Sequence, residues 1–267
     1  MNHCINCGTE VSSKYCPNCG QSNPPRKITL TQLWSDFQAR IYGFDGMFPR
    51  TLRDLTLRPG KAARVFIEGN RVLYYGPVGY FFLMITVLLL LMSVLDVNVI
   101  DFMKSAANQF NGQKSVKEGS GQQKFMQSVF QFASDNMKLL SFTQIPLLAF
   151  FSRYLFFRKS GLNFLEHTVL PFYLHGHIYW VSILSVLFYK ITDNFFPPGI
   201  AMIIAPLYIS FGYSGMFDYQ SRTKRFFKGL GIYICAQLLF IVIIAITVIL
   251  LVVFNPEVRE LIRPSNN

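Results

Sequence analysis

The sequence has little charge: Asp, Glu, Lys and Arg make up 15% of its 267 residues, whereas hydrophobic residues make up 51%. Its uncharged runs are longer than the roughly 20 residues that cross a bilayer core, and they occupy residues 72–95, 168–189, 194–217 and 229–256. A soluble core could bury one such helix but not four. The composition therefore excludes an ordinary soluble domain and predicts an all-α, multi-pass membrane protein.

Several common signatures are also missing. The chain has no G-x-S-x-G nucleophile elbow, no P-loop and no Gly-rich dinucleotide fingerprint. The first uncharged run begins only at Val72 and is long enough to span, so we expect no signal peptide. Residues 1–21 contain one Lys and no Arg, which argues against nucleic-acid binding by this segment.

A fifth span is expected at residues 139–157, although this segment contains Pro146 and Arg153. A proline kink is tolerated in a membrane helix, and a long side chain near a helix end can reach the headgroups. With five spans and a cytoplasmic N-terminus, 17 of the 25 Lys and Arg residues lie inside, whereas omitting this span gives 13 inside and 12 outside. The positive-inside rule therefore favours five spans with an extracytoplasmic C-terminus.

Four of the five cysteines lie in two C-x-x-C pairs at the start of the chain, each followed by glycine: Cys4, Cys7, Cys16 and Cys19. Glycine permits the positive φ of a tight turn around metal-bound sulfur. Four thiolates make the closed tetrahedral set typical of structural zinc. A reducing cytosol argues against disulfides, while mononuclear iron is the alternative. The pattern predicts one structural Zn²⁺ per chain, with Cys235 as a bystander in the last span.

The segment between the cysteines and the first span contains helical signals. Apolar residues recur at helical spacing over residues 30–41, which suits a helix in the membrane interface or one packed on the spans or a partner. Pro59 and Gly69 are start and stop signals for a later helix. Six cations accompany it: Arg50, Arg53, Arg58, Lys61, Arg64 and Arg71. They could contact anionic lipids or form a solvated face that only sets topology.

The third span contains three histidines, and ionisable residues inside spans are candidates for function. His167 and His175 are eight residues apart, about 12 Å along a helix axis, and His175 and His177 point to nearly opposite faces. No pair on this helix can therefore chelate a metal alone. We expect interhelical hydrogen bonds from these side chains, with a ligand or proton site as the first alternative and a metal as the second.

Polar residues of all five spans fall in one layer when depth is counted from the cytoplasmic end of each helix at about 1.5 Å per residue. Unpartnered polar groups are costly in hydrocarbon, so we expect them to converge on a network or pocket in the inner leaflet that opens to the cytosol. The candidate pocket residues are Thr86, Arg153, Glu166, His167, His175, His177, Tyr213 and Gln237.

Three features together resemble a known family. They are the doubled C-x-N-C-G motif followed by Gln, the stretch GNRVLYYGPVGYF at residues 69–81, and the "EH…HGH" pattern at residues 166–177. They resemble the bacterial membrane family known as domain of unknown function 3667, and the resemblance spans most of the chain. It implies a polytopic zinc-ribbon protein of the bacterial cytoplasmic membrane without an established activity. The resemblance assigns a role only to the four cysteines of this sequence, as metal ligands.

The expected organisation is a zinc ribbon at residues 1–22, a linker with amphipathic and basic helices at 23–71, a five-span domain at 72–256 and a short extracytoplasmic tail at 257–267. An extracytoplasmic loop is expected at about 96–138. The first functional hypothesis is a non-catalytic scaffold or assembly factor whose cytosolic ribbon contacts a protein partner. The alternatives are a transporter or small-molecule or lipid binder that uses the inner-leaflet pocket, and a membrane-embedded enzyme. Transport is weakened because no pair of spans has matching Gly and Pro breaks.

Overall fold

A computed structural model describes residues 3–4, 6–19, 46–71, 73–102, 121–192 and 198–254. The chain divides into two compact units, Met1–Pro49 and Arg50–Asn267. The apolar stripe expected at residues 30–41 lies outside the described residues, as does the part 103–120 of the loop expected after the first span.

In the described residues around the cysteines, the N-terminal unit makes tight turns. The Gly8 N–H donates to the Cys4 carbonyl at 2.9 Å, and the Cys4 N–H donates to the Thr9 carbonyl at 2.9 Å. Gly8 has a φ of 71°, the left-handed conformation that the sequence predicted for this glycine. An isolated antiparallel bridge joins His3 to Glu10. These bonds fold the first cysteine pair back on itself.

The second unit is helical. Its helices are α1 (Met47–Leu57), α2 (Pro59–Ile67), α3 (Pro77–Val94), α4 (Gly121–Asp135), α5 (Met137–Phe151), α6 (Phe164–Thr192), α7 (Pro198–Met216) and α8 (Arg222–Phe254). A π-helical turn, Ser152–Phe156, continues α5. As predicted, Pro59 is the first residue of α2, and Gly69, with a φ of 106°, follows its end.

Within the described part of the chain, four helices are long and apolar enough to cross a membrane: Pro77–Val94, Met137–Phe156, Phe164–Thr192 and Arg222–Thr247. They include the segment with Pro146 and Arg153, which is helical throughout. Helix α7 runs from Pro198 to Met216, and its described apolar part is Ile203–Met216. Four of the five expected spans are therefore matched, and the α7 crossing stays a prediction.

Helix α6 lies at the centre of this unit, in contact with α2, α3, α5 and α7, while α8 packs on α5 and α7. The outer faces of the long helices carry exposed apolar side chains such as Leu90, Ile191 and Ile249. An apolar surface of this extent is unusual in water and is what hydrocarbon chains would solvate.

The two short helices lie directly on the central ones. A Cβ atom on Gly60 of α2 would overlap the Gly212 carbonyl and the backbone at Gly215, both in α7. Leu55 of α1 is fully buried, and its carbonyl accepts a 2.9 Å hydrogen bond from the Tyr208 hydroxyl. Small residues allow helix backbones to approach this closely.

Candidate metal centre and polar clusters between the helices

The four cysteines of the two C-x-x-C pairs come together. Their Sγ atoms all lie within 4.8 Å of one another. Cys4 Sγ is 3.5 Å from Cys19 Sγ, and Cys7 Sγ is 3.6 Å from Cys16 Sγ. These separations exceed the roughly 2.05 Å of a disulfide bond and approach the edge of about 3.8 Å in a tetrahedron with metal–sulfur bonds of about 2.3 Å. The cluster can therefore hold a metal ion.

The environments of the four cysteines differ. The side chains of Cys4 and Cys16 are buried, whereas Cys7 and Cys19 are exposed. Hydrogen bonding with Thr9 lowers the pKa of the Cys7 thiol to about 6, whereas burial and the neighbouring thiols of Cys7 and Cys19 raise the pKa of Cys16 to about 11. Four protein sulfurs would fill a tetrahedral ion completely, so the set fits a structural metal without an open position for a substrate.

In the helical unit, the predicted pocket residues divide among separate clusters. The first joins three helices through the Gln144 side chain of α5, whose Oε1 lies 3.2 Å from His175 Nε2 of α6 and accepts a 3.0 Å hydrogen bond from Gln237 Nε2 of α8. His175 Nδ1 also lies 3.2 Å from the Pro171 carbonyl. His175 and Gln237 are thus brought together by a residue outside the predicted set.

The second cluster surrounds His177, which faces away from His175. The Thr56 hydroxyl donates to the Leu52 carbonyl at 2.9 Å, so at its 3.1 Å contact with His177 Nε2 it accepts the imidazole N–H. His177 Nδ1 then accepts from the Tyr80 hydroxyl at 3.0 Å. The Tyr208 ring stacks on the imidazole with a centroid distance of 5.5 Å. A neutral His177 therefore connects α1 and α3 to α6 through these hydrogen bonds.

The third cluster contains His167, which is fully buried. Its Nδ1 lies 2.7 Å from Ser152 Oγ at the start of the π-helical turn, and its Nε2 lies 2.9 Å from Ser160 Oγ. One imidazole nitrogen donates and the other accepts, so both hydroxyls are paired. Sequence reasoning missed Ser152 and Ser160. The available signal was that both hydroxyls lie close to His167 along the chain.

The remaining predicted residues are placed apart from one another. Arg153 donates to the Arg158 carbonyl at 3.2 Å. Glu166 caps the start of α6, accepting the Asn163 N–H at 2.7 Å in a capping-box arrangement. Tyr213 is fully buried, and Thr86 lies on the exposed face of α3. Hydrogen bonds therefore link the predicted residues in separate clusters, and a pocket shared by all eight stays a prediction.

A buried carboxylate, Asp54 of α1, organises part of the basic segment. Its side chain accepts hydrogen bonds from Tyr74 Oη at 2.8 Å, Arg53 Nε at 3.0 Å and Arg58 Nη2 at 3.2 Å. Burial alone would raise the pKa of the Asp54 carboxyl, but these hydrogen bonds outweigh it and hold the pKa below its usual range. Arg53 and Arg58 are therefore partly neutralised within the protein.

Another predicted lipid contact, Arg64, is engaged in the same manner. Its guanidinium donates to the Met216 carbonyl at the end of α7 and pairs with the Asp218 carboxylate. This ion pair lowers the pKa of Asp218. Arg71 lies 6.0 Å from the Phe66 ring centroid, while Arg50 and Lys61 are exposed. Three of the six cations thus have carboxylate partners.

Comparison with known proteins agrees with the resemblance noted in the sequence. The model of a family described as "Protein of unknown function (DUF3667)" matches residues 45–89, which include α1, α2 and most of α3. This confirms the resemblance over that segment, which contains Asp54 and the whole of GNRVLYYGPVGYF. No curated protein and no solved structure matches the chain.

Proposed function

We propose that the chain is a non-catalytic, five-span protein of the bacterial cytoplasmic membrane, and that its cytosolic zinc ribbon contacts a protein partner. The observation that carries the proposal is the pairing of the three histidines of α6: His167, His175 and His177 each bond hydroxyl or amide groups of the protein. Side chains whose hydrogen bonds are made within the protein connect helices and are not positioned to bind a substrate.

Zinc is the proposed ion because four sulfur ligands in a tetrahedral set match its preferences. The proposed topology follows from the 17 of 25 basic residues that lie inside when the N-terminus is cytoplasmic. A ribbon in reducing cytosol with almost no basic residues suits a protein surface better than a nucleic acid.

The partner contact can be tested by photo-crosslinking in intact cells. A photoreactive amino acid would replace Ser12 or Lys14, both exposed on the ribbon, and, as a comparison, Ile249, which is exposed on α8. We expect one discrete adduct from the ribbon positions, lost when Cys16 and Cys19 become serine and retained in Cys235→Ser. Absence of a discrete adduct, or an adduct that persists without the two ribbon cysteines, would contradict the proposal.

A further inference from the structure

A surface cavity lies where two candidate spans end. Its volume is about 590 Å³, and its lining residues are Phe156, Gln220, Ser221, Thr223, Lys224, Phe227 and Lys228. Phe156 is the last residue of the span Met137–Phe156, and Arg222 begins the span Arg222–Thr247. The cavity, here called the α8 cavity, therefore lies at the headgroup level of a bilayer that these helices would cross.

The lining of the α8 cavity is cationic. Lys224 and Lys228 are four residues apart and so occupy the same face of α8, and the lining contains no acidic residue. Lys228 Nζ donates to the Phe156 carbonyl at 2.9 Å, which fixes its ammonium at the cavity wall. The nearby carboxylate of Asp218 is already paired with Arg64 and lies 3.7 Å from Arg225. Lys228 Nζ also lies 5.3 Å from the Phe157 ring centroid, but neither lysine has a carboxylate partner among the described residues, so their positive charge can attract an anion.

The other lining groups indicate what kind of anion would fit. The hydroxyls of Ser221 and Thr223 and the amide of Gln220 add neutral donors to the two ammonium groups, and phosphate oxygens accept from both kinds. The walls also include Phe156 and Phe227. A Cβ atom on Gly231 would lie 2.7 Å from the Phe156 ring, so this glycine lets the ring pack directly against α8. The cavity therefore combines a cationic side with an apolar one.

We propose that the α8 cavity binds an anionic phosphate group, supplied either by a phospholipid headgroup or by free phosphate. The site is separate from the basic residues that precede the first span, and it does not depend on the scaffold proposal. Its position at the ends of two candidate spans and its aromatic walls suit a lipid, whose glycerol and acyl carbons would contact Phe156 and Phe227.

The test uses the full-length protein in detergent and two probes, phosphatidylglycerol compared with phosphatidylcholine, and inorganic phosphate. Lys224→Gln/Lys228→Gln is compared with Lys138→Gln/Lys190→Gln, which removes the same charge from two exposed positions outside the cavity and outside the six cations that precede the first span. One lysine near an anionic headgroup contributes about 1 kcal/mol, so we expect about fivefold weaker binding for each lysine removed from the cavity. The control pair should bind as the unmodified protein does.

The two probes separate the sources of the phosphate. Selective binding of phosphatidylglycerol that excess inorganic phosphate does not displace assigns the site to lipid, and phosphate binding that is lost in the cavity variant assigns it to the free ion. Equal affinity in the cavity variant and the unmodified protein, or an equal loss in the control pair, would overturn the proposal. Lys224→Gln alone, at an exposed side chain, and Lys224→Arg/Lys228→Arg, which keeps the charge, separate lost binding from misfolding.

Discussion

The two units of the chain are stabilised by different means. The buried apolar cluster of the N-terminal unit consists of Cys4, Val11 and Cys16, so two of its three members are candidate metal ligands. The helical unit buries large side chains such as Tyr80 and Tyr173 completely. The part of the first unit that contains the cysteines has about twenty residues, too few to bury enough apolar surface to fold alone. We therefore expect it to depend on a metal, whereas the second unit depends on close packing.

The comparison predicts that changes to metal binding and changes to packing act on separate units. The largest expected effect follows from replacing the two buried ligands, Cys4→Ser/Cys16→Ser. Structural zinc supplies on the order of 10 kcal/mol of folding free energy to a small domain, so the variant should lose its metal and the N-terminal unit should unfold. Elemental analysis would measure the metal, and limited proteolysis would detect the unfolded segment.

The control for this change is Cys235→Ser in α8, which should keep one metal ion per chain. Helical content by circular dichroism should be the same in all three proteins, because the helical unit does not use the four sulfurs. A full metal content in Cys4→Ser/Cys16→Ser would show that other ligands hold the ion. A parallel fall in the thermal stability of the helices would show that the two units do not fold independently.

The second prediction disturbs packing only. Gly60→Ala places a methyl group against the Gly212 carbonyl, so α2 must move away from α7. Overpacking of this kind costs about 3 kcal/mol, seen as a lower thermal unfolding midpoint in detergent with the metal content unchanged. Gly76→Ala is the matched control, because a Cβ atom there meets no atom within 4 Å. Similar midpoints for the two variants would argue against the close α2–α7 contact.

Features that depend on neighbouring residues in the chain could be predicted from the sequence. The C-x-x-C spacing predicted the cysteine cluster, and Pro59 and Gly69 bounded α2 as expected. Three of the four long uncharged runs, at 72–95, 168–189 and 229–256, coincide with helices that are long enough to cross a membrane, and the positive-inside rule added the one at 139–157. The crossing expected at 194–217 stays a prediction.

Partners across helices could not be predicted in the same way. Periodicity indicates which face of a helix is polar but not which helix meets that face, so Gln144 was missed as the link between His175 and Gln237. The i, i+4 spacing of Asp54 and Arg58 was visible in the sequence. The burial of Asp54 was not, because it depends on Tyr74, 20 residues further along the chain.

The third prediction concerns Asp54 and adds a pH dependence. Asp54→Asn leaves Tyr74, Arg53 and Arg58 without their ionised acceptor and should destabilise the helical unit by about 2 kcal/mol at neutral pH. Because the pKa of Asp54 is lowered by folding, its stabilisation is complete above the unfolded value of about 3.9 and is lost as the pH falls through the folded pKa. Thermal unfolding at several pH values would measure both effects.

Asp135→Asn, at an exposed carboxylate on α4, is the control for this prediction and should unfold as the unmodified protein does at neutral pH. The difference between Asp54→Asn and the unmodified protein should narrow under acidic conditions. A difference that is constant from neutral to acidic pH would mean that the ionised form of Asp54 has no special role.

The smallest expected effect concerns the helical unit alone. It compares polar side chains that connect helices with one on an exposed helix face. Hydrogen bonds between membrane helices contribute about 0.6 kcal/mol on average, so Gln237→Leu, which loses one bond to Gln144, should lower stability by about that amount. Gln144→Leu loses its bonds to both Gln237 and His175 and should cost about twice as much. Gln144→Leu/Gln237→Leu should cost little more than Gln144→Leu alone, because the shared bond is counted once in a double-mutant cycle.

The control is Thr86→Val, on an exposed face of α3. It should change the stability by less than either single glutamine variant does. Strictly additive costs for the two glutamines would mean that they do not bond each other, and an unchanged stability in all variants would leave the His175 cluster without a structural role.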